Sequence, residues 1–391
     1  MSQQPIELFS PGAEEQTRGL KLAEAATMEG PLCAAVLAVA HFSEHADVRA
    51  KARALVLSHG PAPVRAVLEA DKRNSSALQD GAKLAKFAAT YAPAVEPRAF
   101  SLAILRVFTA RASSAPAWAG AAIEGALHAA LTHANGSEVF EVIRGIDRID
   151  LTIKKELPAG LHRLRDVKWL RVTGPIKSGK NVAELAQLPA PIGLILTGKD
   201  LDLEVLLPAA ENIDGLAFHG NASKLTDISL LSRFSKLATL WLAGTGVKDL
   251  SPLAALPLVE LTLGPVESIE PLRGKLTLTR LTAERQRCDL APLASLTNLT
   301  SLNLSFGLIK SAEYLAPLTR LTHLNLSGTG VRDLSPLAGK PLKELFADAP
   351  SSLEPLFGMT TLEKLTLRGA EVGAQLDELE RRIPGLQVTS S

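Results

Sequence analysis

Cysteine, aromatic side chains and long apolar runs are all scarce in this chain of 391 residues. Two cysteines cannot supply a disulfide framework. Cys33 falls in an apolar helix and Cys288 at a repeat core position, so both are expected to be small buried hydrophobes rather than a bonded pair. Aromatics make up 4% of residues, so any large core has to be aliphatic. The longest apolar run, from Pro31 to Phe42, is well short of the ~20 residues that span a bilayer, which argues against membrane insertion. The opening stretch MSQQPIELFSPGAEEQ has neither a basic start nor an apolar segment, so no secretory signal is expected and the cytoplasm is the expected compartment. Heavy use of Ala, Arg and Leu suggests a GC-rich bacterial source.

Excess charge of one sign is missing too. The formal net charge is +1, and residues 1–145 balance 14 Lys and Arg against 14 Asp and Glu. A phosphate backbone is held by a basic stripe, and neither half of the chain has one, so a nucleic-acid partner is not expected. Hydrophobic residues reach 46% and charged residues 21%, the balance of a folded chain.

What is present is a repeat. LATLWLAGTGVKDLSPLAAL from Leu237 returns as LTHLNLSGTGVRDLSPLAGK from Leu321. The frame LxxLxL begins again at Leu258, Leu278, Leu299, Leu342 and Leu362, with looser copies at Ile146, Val167, Pro191 and Ile213. That makes about eleven units of roughly 20–24 residues. Within a unit, alternation predicts a short strand that points Leu240 and Leu242 inward and Trp241 outward. Ser251-Pro252 and Ser335-Pro336 then suggest an N-cap and a first-turn proline, opening a helical turn that returns Leu253 and Leu256 to the core. One coil cannot bury its own aliphatic face, so neighbours must stack. At the far end, GAQLDELERRIPG predicts a capping helix with Leu376, Leu379 and Ile383 on one face, and a last strand carrying Leu386 and Val388.

Residues 146–388 resemble the internalin-type leucine-rich repeats of bacteria, which share the T-x-V-x-D-L-S-P-L run. The resemblance implies an α/β solenoid, a horseshoe with a parallel concave sheet. The asparagine that bonds loop backbone in that family is matched only at Asn221, with Thr245 and Thr329 standing in elsewhere.

Residues 1–145 change to helical periodicity. Val48, Ala52, Leu55 and Val56 share a helix face, with Asp47 expected as N-cap and Gly60 just beyond the end. Phe100, Ile104, Leu105 and Phe108 form a second stripe. Pro31, Pro61, Pro63, the Asn74 turn, Pro93, Pro97 and Pro116 divide the segment into about six or seven helices. HADVRAKARALVL resembles the second helix of a HEAT-type pair. The expected division is therefore an all-α domain over 1–145, HEAT-like, and a repeat solenoid over 146–391.

Two stretches imitate catalytic motifs. His41-Phe-Ser-Glu-His45 matches the H-x-x-E-H spacing of inverted zinc proteases, which needs both imidazoles on one helix face and a third ligand. Asp47 would start a new helix and leave His45 in the turn, so a solvated helix end is the expected reading. Gly174 to Asn181 comes one residue short of GxxxxGK[ST]. However, Asn181 replaces the magnesium-binding hydroxyl and Pro175 removes a backbone donor, so a plain loop is expected. No cofactor, metal or catalytic residue is assigned, and no enzyme activity is expected.

Outward strand positions form columns about 5 Å apart. One runs Arg148, Trp169, Gly193, Gly215, Thr239, Glu260, Arg280, Ser301, His323, Glu344, Lys364. The next runs Asp150, Arg171, Ile195, Ala217, Trp241, Thr262, Thr282, Asn303, Asn325, Phe346, Thr366. A third includes His219, Glu284, Asp348 and Arg368. Exposed tryptophan flanked by arginine is the composition of interface hot spots. The candidate protein-binding residues are therefore Trp169, Arg171, His219, Trp241, Arg280, Glu284, His323, Asn325, Glu344, Phe346, Asp348 and Arg368. Mixed charge along the columns favours a protein partner over a polyanion. The expected function is a protein-binding adaptor or regulator. A self-associating scaffold is the alternative, and a metal-dependent enzyme in the helical domain the reading after that.

Overall fold

The computed structural model describes residues 5–71, 81–92, 95–112, 119–143, 146–198, 202–219, 222–369 and 373–390. The Asn74 turn, Pro93, Pro116 and Asn221 fall outside them. The chain divides into two compact units, Met1–Ile192 and Gly193–Ser391.

In the first unit the described residues form eight helices rather than six or seven: α1 Ala13–Glu24, α2 Gly30–Phe42, α3 Ala46–His59, α4 Ala62–Ala70, α5 Gly81–Ala89, α6 Pro97–Ala112, α7 Ala119–His133 and α8 Gly136–Val142. Helix α2 is central because its run PLCAAVLAVAHF is apolar all round, so every face must be covered. It packs on α3 and α6, and α6 packs on α7. Fully buried Ala34, Ala35 and Ala38 allow close approach. An aromatic cluster fills the core here. Phe42 lies 5.6 Å from both Phe87 and Phe108, and Tyr91 lies 5.3 Å from Phe100, between ring centroids. The stripe of Phe100, Ile104, Leu105 and Phe108 is buried. One sequence expectation changes: Asp47 is inside the first turn of α3, and His45 is the N-cap residue. Asn135 caps α8 by accepting the Glu138 N–H. No helix among the described residues is long and apolar enough to cross a membrane.

The first unit also contains strands β1 Arg148–Thr152 and β2 Trp169–Thr173, paired in parallel with Arg148 opposite Trp169. Strand order in the sheet follows the chain, and β3 Ile192–Thr197 comes third.

The second unit is a regular coil. Strands β4 Ile213–His219, β5 Thr239–Trp241, β6 Glu260–Leu263, β7 Arg280–Ala283, β8 Ser301–Asn303, β9 His323–Asn325, β10 Glu344–Asp348, β11 Lys364–Arg368 and β12 Gln387–Ser390 pair in parallel, each with the next. Leu216, Leu240, Leu261, Leu281, Leu302, Leu324, Leu345 and Leu365 stand in one register column and all are buried. Strands β4 to β10 each return through a 3-10 turn such as Ser251–Leu253 or Ser335–Leu337. Helix α9 Gly373–Arg382 buries Leu379, followed by buried Ile383.

In the turns that begin at Ser229, Ser251 and Ser335, an aspartate two residues ahead holds the first N–H, a place that Ser268, Ser311 and Ser352 take in other turns. Ser251 is the first residue inside its turn, and Asp249 accepts both the Ser251 N–H at 2.8 Å and its hydroxyl at 2.6 Å. Asp227 and Asp333 accept the N–H of Ser229 and Ser335 in the same way. Hydrogen bonds from Ser251 and Ser335 hold Asp249 and Asp333 below the usual carboxylate range, and those from Ser229 do so for Asp227. A carboxylate whose folded pKa is depressed adds stability above its unfolded value. That stability is lost as pH falls through the folded value. Unfolding in urea should therefore show a loss confined to the range below about pH 4. The triple variant Asp227→Ala, Asp249→Ala, Asp333→Ala should flatten that acid limb, and an unchanged limb would refute this account.

The far ends of two turns are bound by lysines. Lys340 is 5% exposed, and its ammonium donates to the carbonyls of Ala316 at 2.8 Å and Leu318 at 3.2 Å. Lys275 donates to those of Ala254 at 2.9 Å and Leu256 at 2.7 Å. Desolvation lowers both ammonium pKa values.

Candidate functional site

On the outward side of the second unit, Ala217, Trp241, Thr262, Thr282, Asn303, Asn325, Phe346 and Thr366 share one register row. Gly215, Thr239, Glu260, Arg280, Ser301, His323, Glu344 and Lys364 share the adjacent row. These are the columns that the LxxLxL frame predicts. With buried leucines on one side of strands β1 to β11, 3-10 returns and a parallel sheet in chain order, the architecture is decided.

The strand array is a leucine-rich-repeat solenoid.

Comparison with known proteins adds likeness without assignment. No family model and no curated protein matches the chain. Among solved structures, it is similar to an internalin, InlF, from Listeria monocytogenes at 21% identity and a TM-score of 0.46, covering 65% of this chain and 84% of that one. Internalin C2 of the same organism shows 23% identity and a TM-score of 0.39, covering 61% of this chain and 86% of its own. A leucine-rich-repeat protein of Leptospira interrogans shows 14% identity and a TM-score of 0.43, covering 65% and 74%. The architecture rests on this chain's own register, and nothing about its activity or partners follows from these values.

The outward face of the solenoid is not uniformly open. Ile195 on β3 and Ala217 on β4 are buried, at 4% and 0% exposure, although both belong to outward columns. Gly193 and Gly215 are buried as well. In the second unit, accessible positions of these two columns therefore begin at β5. Trp241 is half-buried there instead of fully facing water, beside His219 with 6.1 Å between ring centroids. Its indole N–H donates to Glu260 Oε1 at 2.9 Å. Glu260 Oε2 in turn accepts the guanidinium of Arg280, with Nε at 2.8 Å. His219, Trp241, Glu260 and Arg280 thus form one continuous strip across four strands. Glu260 is the residue that joins them, and the hot-spot composition that picks out tryptophan and arginine passed over it. Its place in the outward column was the available signal.

The other candidates group differently. Glu344 pairs with Lys364 at 2.9 Å; the hydrogen bond from that ammonium lowers the Glu344 pKa, and His323 nearby adds to the effect. Asn325 accepts the Ser327 N–H at 2.9 Å, so its side chain fixes its own loop. Glu284 accepts from the Asn303 amide at 3.0 Å, and Asp348 from the Gly328 N–H. Phe346 is half-buried next to Asn325 in the same row, and Arg368 is exposed opposite Asp348. In the first unit, Trp169 is half-buried and Arg171 pairs with Asp150 at 3.6 Å.

Loop bonding also departs from expectation. Thr245 and Thr329 donate to the carbonyls of Leu242 and Leu326, as stand-ins should. Gln286, 1% exposed, serves the loop after β7, accepting the Val266 N–H at 3.1 Å and donating to the Gly264 carbonyl at 2.8 Å. A glutamine reaches one bond further than asparagine, and the asparagine-centred frame did not mark it.

The two motif imitations find structural roles. His41 is buried at 5% exposure, not solvated, and its Nε2 lies 2.8 Å from the Tyr91 hydroxyl. His45 Nε2 bonds the Pro11 carbonyl at 2.9 Å. The imidazoles are therefore committed to different partners, and among the described residues no group of three or more His, Cys, Asp or Glu could hold a metal. In the glycine-lysine stretch, Lys180 pairs with Glu156 at 3.5 Å. Asn181 takes a left-handed φ of 67° and donates to the Leu157 carbonyl at 2.8 Å. Cys33 is buried, with desolvation pushing its thiol up to about 11. Cys288 is half-buried rather than a full core residue.

Proposed function

We propose that this protein is a binding adaptor or regulator that engages another protein through the outward face of its parallel sheet. The observation that carries the reading is the strip of His219, Trp241, Glu260 and Arg280. A half-exposed indole tied at its N–H to a carboxylate that is itself clamped by a guanidinium is already ordered before a partner arrives. Such an anchor loses less side-chain freedom on association than a mobile one. Aromatic and arginine side chains at the centre of a contact are also those whose truncation costs most. Glu344 with Lys364 places charge of both signs further along the same face, which suits a protein surface better than a polyanion. The two cysteines are unpaired in separate units, which suits a reducing compartment such as the cytoplasm. We assign residues 1–145 to a helical domain, 146–391 to the solenoid, and no reaction to either.

Affinity purification of the tagged protein from its native cell should recover a stoichiometric partner. Trp241→Ala should weaken that partner by at least ~2 kcal/mol, about thirtyfold, with the melting temperature little changed. Equal affinity in the variant would remove the sheet face as the site.

A further inference from the structure

A backbone strain pattern in the second unit marks a different surface. Five residues beyond the first paired residue of β5, β7, β8, β9, β10 and β11, the chain takes a left-handed φ. In three of these repeats the residue is glycine: Gly244 at 79°, Gly328 at 70° and Gly369 at 61°. In the others it is Arg285 at 58°, Phe306 at 59° and Ala349 at 41°. Only glycine adopts this conformation without a steric penalty. Arg285 and Phe306 occupy successive repeats, and their loops are tied together: the Arg285 N–H donates to the Ser305 carbonyl at 2.9 Å and the Leu308 N–H to that of Gln286 at 3.0 Å.

The strained side chains are not withdrawn into the core. Phe306 is 52% exposed and Leu308 74%. Arg285 is exposed too, its Cζ 5.8 Å from the centre of the Phe306 ring. The next repeat leaves room for the ring, because a Cβ on Gly328 would stand 2.5 Å from Phe306 Cδ1. Core packing accounts for none of this, and strain maintained where glycine would serve points to a role for the side chains. Exposed Arg287 and Lys310 extend the positive rim. The acidic residues alongside are engaged, Glu284 by Asn303 and Asp289 by the Ala291 N–H.

We propose that the loop ridge of Arg285, Phe306 and Leu308 is a docking site for a partner-protein segment in which an apolar side chain is flanked by carboxylates. The apolar side chain would cover Phe306 and Leu308, while the carboxylates meet Arg285, Arg287 and Lys310. An Arg stacked on an exposed ring presents both chemistries in a fixed arrangement. This site lies on the loops and does not depend on the sheet-face reading.

The test uses the full chain and two fluorescein-labelled synthetic peptides, one with leucine flanked by glutamates and a twin with lysines in their place. The glutamate peptide should bind, in a salt-sensitive manner, and the lysine twin should not. Phe306→Gly should weaken binding about tenfold or more, while its melting temperature holds or rises because glycine suits the left-handed backbone. Arg285→Gly should behave likewise. The proposal is overturned if both peptides bind equally, if neither saturates below about 1 mM, or if affinity survives Phe306→Gly. It is also overturned if Phe306→Gly melts several degrees lower, which would make the ring structural. Concentration-dependent dimers that disappear in Phe306→Gly would instead assign the ridge to a second copy of the chain.

Discussion

Leu261→Ala is expected to destabilise the second unit by about 3 kcal/mol, within the ~2–5 kcal/mol range of buried leucine truncations. Leu261 is fully buried, between Leu240 and Leu281 in register. Truncation removes apolar area from both neighbouring interfaces and leaves a cavity that strands on either side cannot close without shifting the ladder. In a stacked array each repeat is held by its neighbours, so the loss should not stay local. Urea unfolding should show the lowered midpoint, and amide exchange should rise first in β5, β6 and β7. Thr262→Ala, one residue along on the outward side, should change stability by no more than about 0.5 kcal/mol. If the two variants lost stability equally, the inward and outward assignment of this strand would fail.

Gly160→Ala is expected to be at least as severe, about 4 kcal/mol or more, in the first unit. Gly160 has φ 95°, and a Cβ there would stand 2.2 Å from the Ser137 nitrogen and 2.6 Å from the Gly136 carbonyl carbon. Both are backbone atoms at the start of α8, so no flexible side chain can move aside. The opposing glycine is as confined, since a Cβ on Gly136 would lie 1.6 Å from the Ala159 carbonyl oxygen. The site is further fixed by Glu184, which accepts the Gly160 N–H at 2.8 Å and lies 2.6 Å from His162 Nδ1. Burial works to raise the Glu184 pKa, but these hydrogen bonds outweigh it and the net direction is down. Thermal unfolding compared with Gly358→Ala is the appropriate check. A Cβ on Gly358 would meet nothing within 4 Å and its φ is not left-handed, so that change should be close to neutral. Similar melting temperatures for the two variants would show that the α8 approach relaxes.

Much of the array was legible because period and chemistry coincide. LxxLxL places leucine on alternate strand positions and repeats it at a near-constant interval, so the buried column from Leu216 to Leu365 follows from counting. Local errors occurred where two residue types compete for one job. Asp and Ser both cap turns, and in DLSP the aspartate two residues ahead of the serine N–H has the better reach. At α3 the N-cap residue is His45, which makes no side-chain cap bond, and its ring bonds the Pro11 carbonyl, a partner 34 residues earlier in the chain. The candidate site was only partly legible. Trp241, Glu260 and Arg280 all stand in predicted columns, but the hydrogen bonds by which the carboxylate links the other two are visible only in the structure. Covered positions such as Ile195 and Ala217 could not be told from open ones by strand alternation, which gives the side of the sheet and not what lies over it.

Repetition, then, was enough to establish that leucines stack in parallel coils, because a short amphipathic unit has no other way to remove its aliphatic face from water. Which outward side chains remain available, which loops carry strained Arg285 and Phe306, and which carboxylate orders Trp241 were settled by neighbours about twenty residues away in the chain. Such contacts exist only once the coils are in register, and no local pattern encodes them.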